Sequence, residues 1–146
     1  MQTTRRLVVV RHAKAQPYAG RDADRELEPS GRRDAHALGA WLAAQGVVPD
    51  VAHVSTATRT RETWTELADG AGWQLEASYD GGLYGTDEVG VLELLRETPA
   101  EARTVVVVGH NPTMSVVVQL LDDGEGDATG AVSLGDFPTS TAAVFD

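Results

Sequence analysis

The segment Leu7-Val-Val-Val-Arg-His12 sets four consecutive apolar residues directly before an arginine and a histidine. A short β-branched run that ends abruptly in charge is typical of a parallel strand buried on both faces. Similar runs occur at residues 50–54, 104–108 and 141–145. The sequence therefore predicts four strands, and it places reactive side chains where the first of them ends.

Helical patterns separate the predicted strands. Apolar residues recur at helical spacing between Ala35 and Leu42. Ser30 is a residue type that often caps a helix N-terminus, and Gly46 is suited to end this helix. Three further helices are predicted over residues 63–71, 88–96 and 112–121, the last beginning at Pro112. Alternating strands and helices predict an α/β fold, a three-layer α/β/α sandwich around a mostly parallel sheet.

Length and composition bound the class of protein. A chain of 146 residues with 42% apolar and 23% charged residues is expected to fold as a single domain, residues 1–146. No apolar run approaches the roughly 20 residues of a membrane-spanning helix, and the apolar stretch near the N-terminus is too short for a signal peptide. We therefore expect a cytoplasmic protein that is not bound to membranes. The absence of cysteine excludes disulfides, thiolate nucleophiles and cysteine zinc sites.

The charge is unevenly distributed along the chain. The net charge of −10 argues against nucleic acid as a partner, because nucleic-acid-binding proteins usually carry a basic surface. Residues 1–61 nevertheless hold 10 of the 12 Lys and Arg residues against 6 Asp and Glu. This concentration of positive charge favours a local anion site in an otherwise acidic protein. The acidic stretch at residues 122–127 is interpreted as a solvated loop.

Residues suited to binding an anion follow three of the predicted strands. Arg11 and His12 end the first strand, Arg59 lies shortly after the second, and His110 follows the strand at 104–108. Ligands of open α/β sheets bind beyond the carboxyl ends of the parallel strands. The three segments are therefore predicted to converge on one site.

These segments resemble a known family. Arg11-His12-Ala13, Ser55-Thr-Ala-Thr-Arg59 and Gly109-His110-Asn-Pro-Thr113 are similar to the three ordered signatures of the histidine phosphatase superfamily, the phosphoglycerate-mutase-like group. The similarity is greatest to its short phosphohistidine phosphatase branch, which Asp24-Arg25-Glu26-Leu27 also resembles. The resemblance covers most of the chain. It implies a phosphoglycerate-mutase-like fold without a cap domain.

The resemblance also implies roles for individual residues. His12 would be the nucleophile that is transiently phosphorylated. Arg11 and Arg59 would hold the phosphoryl oxygens as forked donors, in place of a metal, and His110 would supply a further hydrogen bond or positive charge. Further candidate contacts to the substrate are Arg25, Ser55 and Asn111.

The general acid of the larger family members has no unambiguous counterpart here. They carry a glutamate between the second arginine and the second histidine, a region that reads Tyr79-Asp-Gly-Gly-Leu-Tyr-Gly-Thr-Asp-Glu88 in this chain. Asp87 and Glu88 are candidates, although both stand where a helix dipole favours carboxylates in any case. A weak or absent acid favours phosphohistidine over a sugar phosphate, because a phosphoramidate nitrogen is protonated more readily than the bridging oxygen of a phosphate ester. About 50 residues separate Arg59 from His110, which leaves little room for a lid.

The predicted function is hydrolysis of phosphohistidine on a protein, with a phosphohistidine carrier or phosphotransfer domain as partner. One alternative with the same fold is a phosphomonoesterase or mutase acting on a small phosphate ester. Another is a non-catalytic module that binds phosphate or a phosphoprotein. No cofactor is predicted, and no metal, because the histidines at positions 12, 36, 53 and 110 lack the His-x-x-x-His spacing of metal ligands.

Overall fold

The computed structural model describes residues 5–122, 124 and 137–146. Five strands are present in this part of the chain: β1 (Arg6–Arg11), β2 (Val51–Ser55), β3 (Ser78–Asp80), β4 (Thr104–Gly109) and β5 (Ala142–Phe145). The α-helices are α1 (Pro29–Ala44), α2 (Thr58–Ala71), α3 (Glu88–Glu97) and α4 (Thr113–Leu121). Short 3-10 turns occur at Asp22–Asp24 and Gly81–Leu83. Across the described residues, no helix combines the length and the apolar character needed to cross a bilayer.

The strands form a single sheet in the order β3-β2-β4-β1-β5. Three pairs of neighbours are parallel: β1 with β4, β4 with β2, and β2 with β3. Strand β5 pairs antiparallel with β1. This arrangement confirms the predicted α/β fold with a mostly parallel sheet. Because β1 and β4 are parallel neighbours at the centre of the sheet, the residues that follow them emerge side by side.

Helices cover both faces of the sheet. Val8 and Val10 of β1 pack in one apolar cluster with Leu42 of α1 and Leu67 of α2. The alternate residue Val9 packs in a second cluster, with residues of α3 and α4. The three-layer arrangement follows, since successive side chains of a strand point to opposite faces of the sheet. Both faces of β1 are buried, as the uninterrupted apolar run predicts.

Several element boundaries differ from the sequence prediction. Helix α1 begins at Pro29 with Glu28 as its N-cap, so the prediction of Ser30 as the cap is wrong. Proline is favoured at the first helical position, because its φ angle suits a helix and its missing N-H has no partner there. Helix α4 begins at Thr113 with Pro112 at the cap position, one residue later than predicted.

One strand was not predicted. Strand β3 has three residues and an exposed face, so it lacks the apolar run that identified the other strands. The acidic stretch interpreted as a solvated loop lies mostly outside the described residues.

Helices α1 and α2 approach each other closely at two glycines. A Cβ atom at Gly39 would lie 2.1 Å from the Leu67 carbonyl oxygen, and one at Gly70 would lie 2.0 Å from the His36 carbonyl oxygen. Both neighbours are backbone atoms in helices, which cannot move without shifting the helix. This close packing fixes the position of α2, whose first turn carries Arg59.

We expect Gly39→Ala to lower the free energy of unfolding by about 2 kcal/mol, because overpacked interiors lose roughly 1–3 kcal/mol. The midpoint of thermal unfolding should fall by about 5 °C, measured by circular dichroism. Gly20→Ala is the matched control, because a Cβ there meets nothing within 4 Å. Equal midpoints for the two variants would contradict the close approach of α1 and α2.

Candidate active site

A cavity of about 300 Å³ lies beyond the carboxyl ends of β1 and β4. It is lined by six of the residues singled out in the sequence: Arg11, His12, Arg25, Arg59, His110 and Asn111. Lys14, Ala15 and Thr139 complete the lining. The structure therefore brings together groups that are distant in the chain, and most of them are cationic or imidazole side chains.

The pairing of β1 with β4 places the two imidazoles together. Arg11 lies opposite Gly109 in the register, and the His12 amide donates to the Gly109 carbonyl at 3.0 Å. The rings of His12 and His110 consequently lie with their centroids 5.5 Å apart. At Gly109 a Cβ would lie 2.9 Å from the methyl end of the Met114 side chain, which would have to shift to admit it.

His12 is held in one neutral tautomer. Its side chain is buried, and Nδ1 lies 2.7 Å from the Ala13 carbonyl oxygen, which can only accept a hydrogen bond. Nδ1 therefore carries the proton, and Nε2 carries the lone pair. Burial lowers the pKa of His12 to about 4 against the opposing hydrogen bond to Ala13, and the positive charges of Arg59, Arg11 and Arg25 lower it further. The ring is therefore neutral at pH 7, with the lone pair of Nε2 available.

His110 is also neutral at pH 7. Burial lowers its pKa to about 4, with a second contribution from the charge of Arg59. Its Nε2 lies 2.8 Å from the Ser55 hydroxyl, at the end of β2. Ser55 does not line the cavity itself, but it contacts His110, which does. His110 Nδ1 is buried and has no hydrogen-bond partner among the described residues, so it is a group that a ligand could satisfy.

Arginine side chains supply most of the charge of the cavity. Arg59, in the first turn of α2, is only 6% exposed and donates through Nη1 and Nη2 to the Asp22 main-chain oxygen and carboxylate. Arg25 forms an ion pair with Asp22 at 3.1 Å. Burial lowers the pKa of Arg11, yet a guanidinium stays charged at pH 7. These groups can stabilise a multiply charged anion.

Asn111 lines the cavity and also braces its wall. Its amide nitrogen donates to the Phe137 carbonyl at 2.9 Å, and its amide oxygen accepts from the Ser115 amide at 3.2 Å in the first turn of α4. Both ends of the side chain are thus engaged within the protein. The contacts support a structural role for Asn111 in holding the loop that follows His110.

Asp87 and Glu88 do not line the cavity. The Asp87 carboxylate accepts from the Gly90 amide at 3.1 Å and is the N-cap of α3, and Glu88 is the first residue of that helix. Capping of α3 therefore explains why an aspartate stands at position 87, and no contact with the cavity is needed to explain it.

The other two histidines lie outside the cavity. His53 bonds through Nε2 to the Thr98 hydroxyl at 2.9 Å within the protein. His36 of α1 lies 3.2 Å from Asp69 and 3.8 Å from Glu66 of α2, on the outer surface of the helix pair. Both therefore serve within the protein or on its surface and contribute nothing to the lining of the cavity.

Sequence reasoning missed two residues at the edge of the cavity. Asp22 bonds to Arg59 and pairs with Arg25, and the Tyr84 hydroxyl donates to the Asp22 carboxylate. The Tyr84 ring stands edge-on to the His110 ring, with centroids 5.5 Å apart. Tyr84 lies in the stretch from Tyr79 to Glu88 where a carboxylate acid is expected, and a phenol there can also donate a proton. Nothing in the local sequence distinguishes Asp22 from its acidic neighbours.

The chain is similar in sequence to a known protein family and to individual proteins. The sequence model described as "Histidine phosphatase superfamily (branch 1)" matches residues 7–86. An uncharacterised protein of Mycobacterium tuberculosis is 38% identical over 138 residues, which cover 92% of this chain and 85% of the relative.

Two solved structures are similar over most of the chain. A protein of Nakamurella multipartitia, named as a candidate phosphohistidine phosphatase SixA, is 36% identical with a TM-score of 0.83, covering 96% of this chain and 83% of its own. The protein histidine phosphatase SixA complexed with tungstate is 25% identical with a TM-score of 0.79, covering 95% of this chain and 86% of its own.

The charge of Arg59 lowers the pKa of both imidazoles, so Arg59→Gln should raise both values toward 6.5. The measurement is a pH titration of the His12 and His110 ring signals by NMR, in which the wild-type rings should titrate at about 4. Arg33→Gln, which removes an exposed arginine of α1, is the control and should leave both titrations unchanged. Ordinary titration near 6.5 in the wild-type protein would contradict the buried, cationic environment.

Proposed function

The chain belongs to the histidine phosphatase superfamily, and from this premise we propose that it hydrolyses phosphohistidine on a protein, without a metal, through a phosphorylated His12. The observation that carries the proposal is the hydrogen bond from His12 Nδ1 to the Ala13 carbonyl at 2.7 Å. It leaves Nε2 as a lone-pair donor on a ring that lines a cation-rich cavity. This is the state that a nucleophilic imidazole requires.

The reaction has two steps. The Nε2 lone pair of His12 attacks phosphorus, the bond from phosphorus to the partner's imidazole breaks, and the departing nitrogen leaves as neutral imidazole once the ring has taken up a proton. Water then attacks the phosphoryl group on His12, the P-N bond breaks, and its electron pair returns to Nε2 as phosphate is released. Throughout both steps Nδ1 keeps its proton and donates it in the hydrogen bond to the Ala13 carbonyl, so the ring stays in the same orientation.

The side chains around the cavity supply the charge that phosphoryl transfer needs. Arg11, Arg25, Arg59 and Lys14 line the cavity, and no carboxylate is among the lining residues of the described chain. Phosphoryl transfer depends mainly on positioning and on compensation of charge at the equatorial oxygens. A cavity with this lining attracts a phosphoryl dianion and repels a divalent cation, which supports a mechanism without a metal.

Among the described residues no carboxylate lines the cavity, and this supports phosphohistidine as the substrate class. An alkoxide leaving group needs a proton from a well-placed acid. An imidazole leaving group accepts its proton readily from solvent, so the reaction proceeds without such an acid. Names of the similar structures agree with this substrate class, since one is a protein histidine phosphatase. The proposed partner is therefore a phosphohistidine carrier or phosphotransfer domain.

One observation favours a second function, hydrolysis of small phosphate esters. The Tyr84 hydroxyl lies at the edge of the cavity next to His110, and its bond to Asp22 raises its pKa. A protonated phenol in this position could donate to a leaving alkoxide. Substrate comparison separates this function from the proposed one.

We expect His12→Ala to abolish phosphorylation of the enzyme and to reduce turnover at least a thousandfold, because the first P-N bond cannot form. The measurement is acid-labile, alkali-stable phosphate on the protein after mixing with a labelled phosphohistidine carrier. His36→Ala, at an exposed position outside the cavity, is the control and should retain wild-type labelling. Unchanged hydrolysis by His12→Ala would refute the covalent route.

Substrate preference tests the second half of the proposal. The value of kcat/KM for a phosphohistidine carrier should exceed that for sugar or glycerate phosphates by at least a hundredfold, and EDTA should leave it unchanged. Tyr84→Phe retains the ring and removes the hydroxyl, so it should have little effect on the carrier. Efficient turnover of small esters that falls sharply in Tyr84→Phe would favour the second function instead.

A further inference from the structure

The Asp22 carboxylate is bound by the groups that should bind the substrate. Its Oδ2 accepts from Arg59 Nη2 at 3.1 Å and from the Tyr84 hydroxyl, and its Oδ1 pairs with Arg25 Nε at 3.1 Å. The Asp22 main-chain oxygen accepts from Arg59 Nη1 at 2.9 Å. Both terminal nitrogens of Arg59 are therefore engaged by one acidic residue.

Asp22 lies at the tip of a loop, residues 16–26, which we name the Asp22 loop. The base of the loop is held by an antiparallel bridge between Ala15 and Leu27, and by a bond from the Gln16 amide to the Glu26 carbonyl at 2.8 Å. Most of the side chains between are exposed, and the Asp22 side chain itself is 55% exposed. The base is thus fixed, while the tip lies mainly in solvent.

The tip is attached to the rest of the protein through Asp22. In the described residues, each hydrogen bond from residues 17–24 to α2 or to Tyr84 involves this one residue. Asp24, two residues later, pairs only with Arg21 inside the loop, at 3.0 Å. Release of the Asp22 carboxylate, together with its main-chain oxygen, from Arg59 would therefore free the tip without disturbing the base.

A carboxylate and a phosphoryl group accept hydrogen bonds from the same donors. Each offers oxygen acceptors to a guanidinium fork, and two anions at the distance set by a shared guanidinium repel each other. A phosphoryl group offers three oxygens and up to two negative charges, against two oxygens and one charge for a carboxylate. It can therefore displace Asp22 from Arg59 and Arg25, whereas a simple carboxylate ligand gains little by the exchange.

We propose that Asp22 stands in for the phosphoryl group, orienting Arg25 and Arg59 until substrate binds, and that substrate binding displaces it and releases the Asp22 loop. The proposal rests on the proposed function, because it takes the ligand of this cavity to be a phosphoryl group. Asp22 thereby sets the affinity of the site for anions and selects phosphoryl groups over carboxylates.

Binding of tungstate to the full chain tests the competition, measured by isothermal titration calorimetry. Asp22→Asn removes the charge and keeps the size, so its Kd for tungstate should fall about tenfold, the order expected for one nearby charge in partly exposed surroundings. Asp24→Asn is the matched control and should bind within twofold of wild type. Weaker or unchanged binding by Asp22→Asn would overturn the proposal and leave Asp22 as a residue that only positions the arginines.

Hydrogen exchange of a peptide covering residues 17–24 tests the release of the loop. Saturating tungstate should speed exchange in the wild-type protein, and Asp22→Asn should exchange rapidly with or without tungstate. Slower exchange with tungstate would mean that the loop closes on the anion, which overturns the proposal. Both measurements are made without turnover, so wild-type protein that binds tungstate but is never phosphorylated on His12 refutes the proposed function alone. Absence of tungstate binding in both proteins overturns both.

Discussion

The parallel pairing of β1 with β4 is the constraint on which the rest of the structure depends. Arg11 opposes Gly109, and the His12 amide bonds to the Gly109 carbonyl at 3.0 Å. A shift of one residue in this register would exchange the two faces of β1, so that Val8 and Val10 would enter the layer in which Val9 now packs. It would also separate the two imidazoles, which now lie 5.5 Å apart. The apolar packing of the sheet therefore enforces the geometry of the cavity, and stability and chemistry are not independent here.

Burial and the charges around the cavity set the protonation state of the two histidines that the strand register brings together. The cavity gathers positive side chains in a chain whose net charge is −10. These charges and burial lower the pKa of His12 and of His110, so both imidazoles remain neutral beside several guanidinium groups. Asp22 partly neutralises the same cluster through Arg59 and Arg25. Two neutral imidazoles among cationic side chains, with Asp22 as a counter-charge, suit a site that attracts a multiply charged anion.

Much of the fold was predictable from local patterns because short runs of apolar, often β-branched residues identify buried strands. The four strands with such runs were found, and the mostly parallel sheet is confirmed. Strand β3 was missed because its three residues are largely exposed and carry no apolar pattern. The start of α1 was misplaced because Ser30 competes with Pro29 as a start signal, and proline at the first helical position prevailed. Short or exposed elements depend on neighbours that a local pattern does not contain.

The sequence by itself determined the α/β class, the family resemblance, and the order in which Arg11, His12, Arg59 and His110 follow the strands. These features depend on residue type and spacing, which are local. Only the tertiary structure decided that Asp22 and Tyr84 meet at the cavity edge, although 62 positions separate them in the chain. It also decided that Asp87 caps a helix away from the cavity. The identity of an acidic residue in the sequence does not reveal what its carboxylate contacts. Its role depends on which donors the folded chain brings within hydrogen-bond distance.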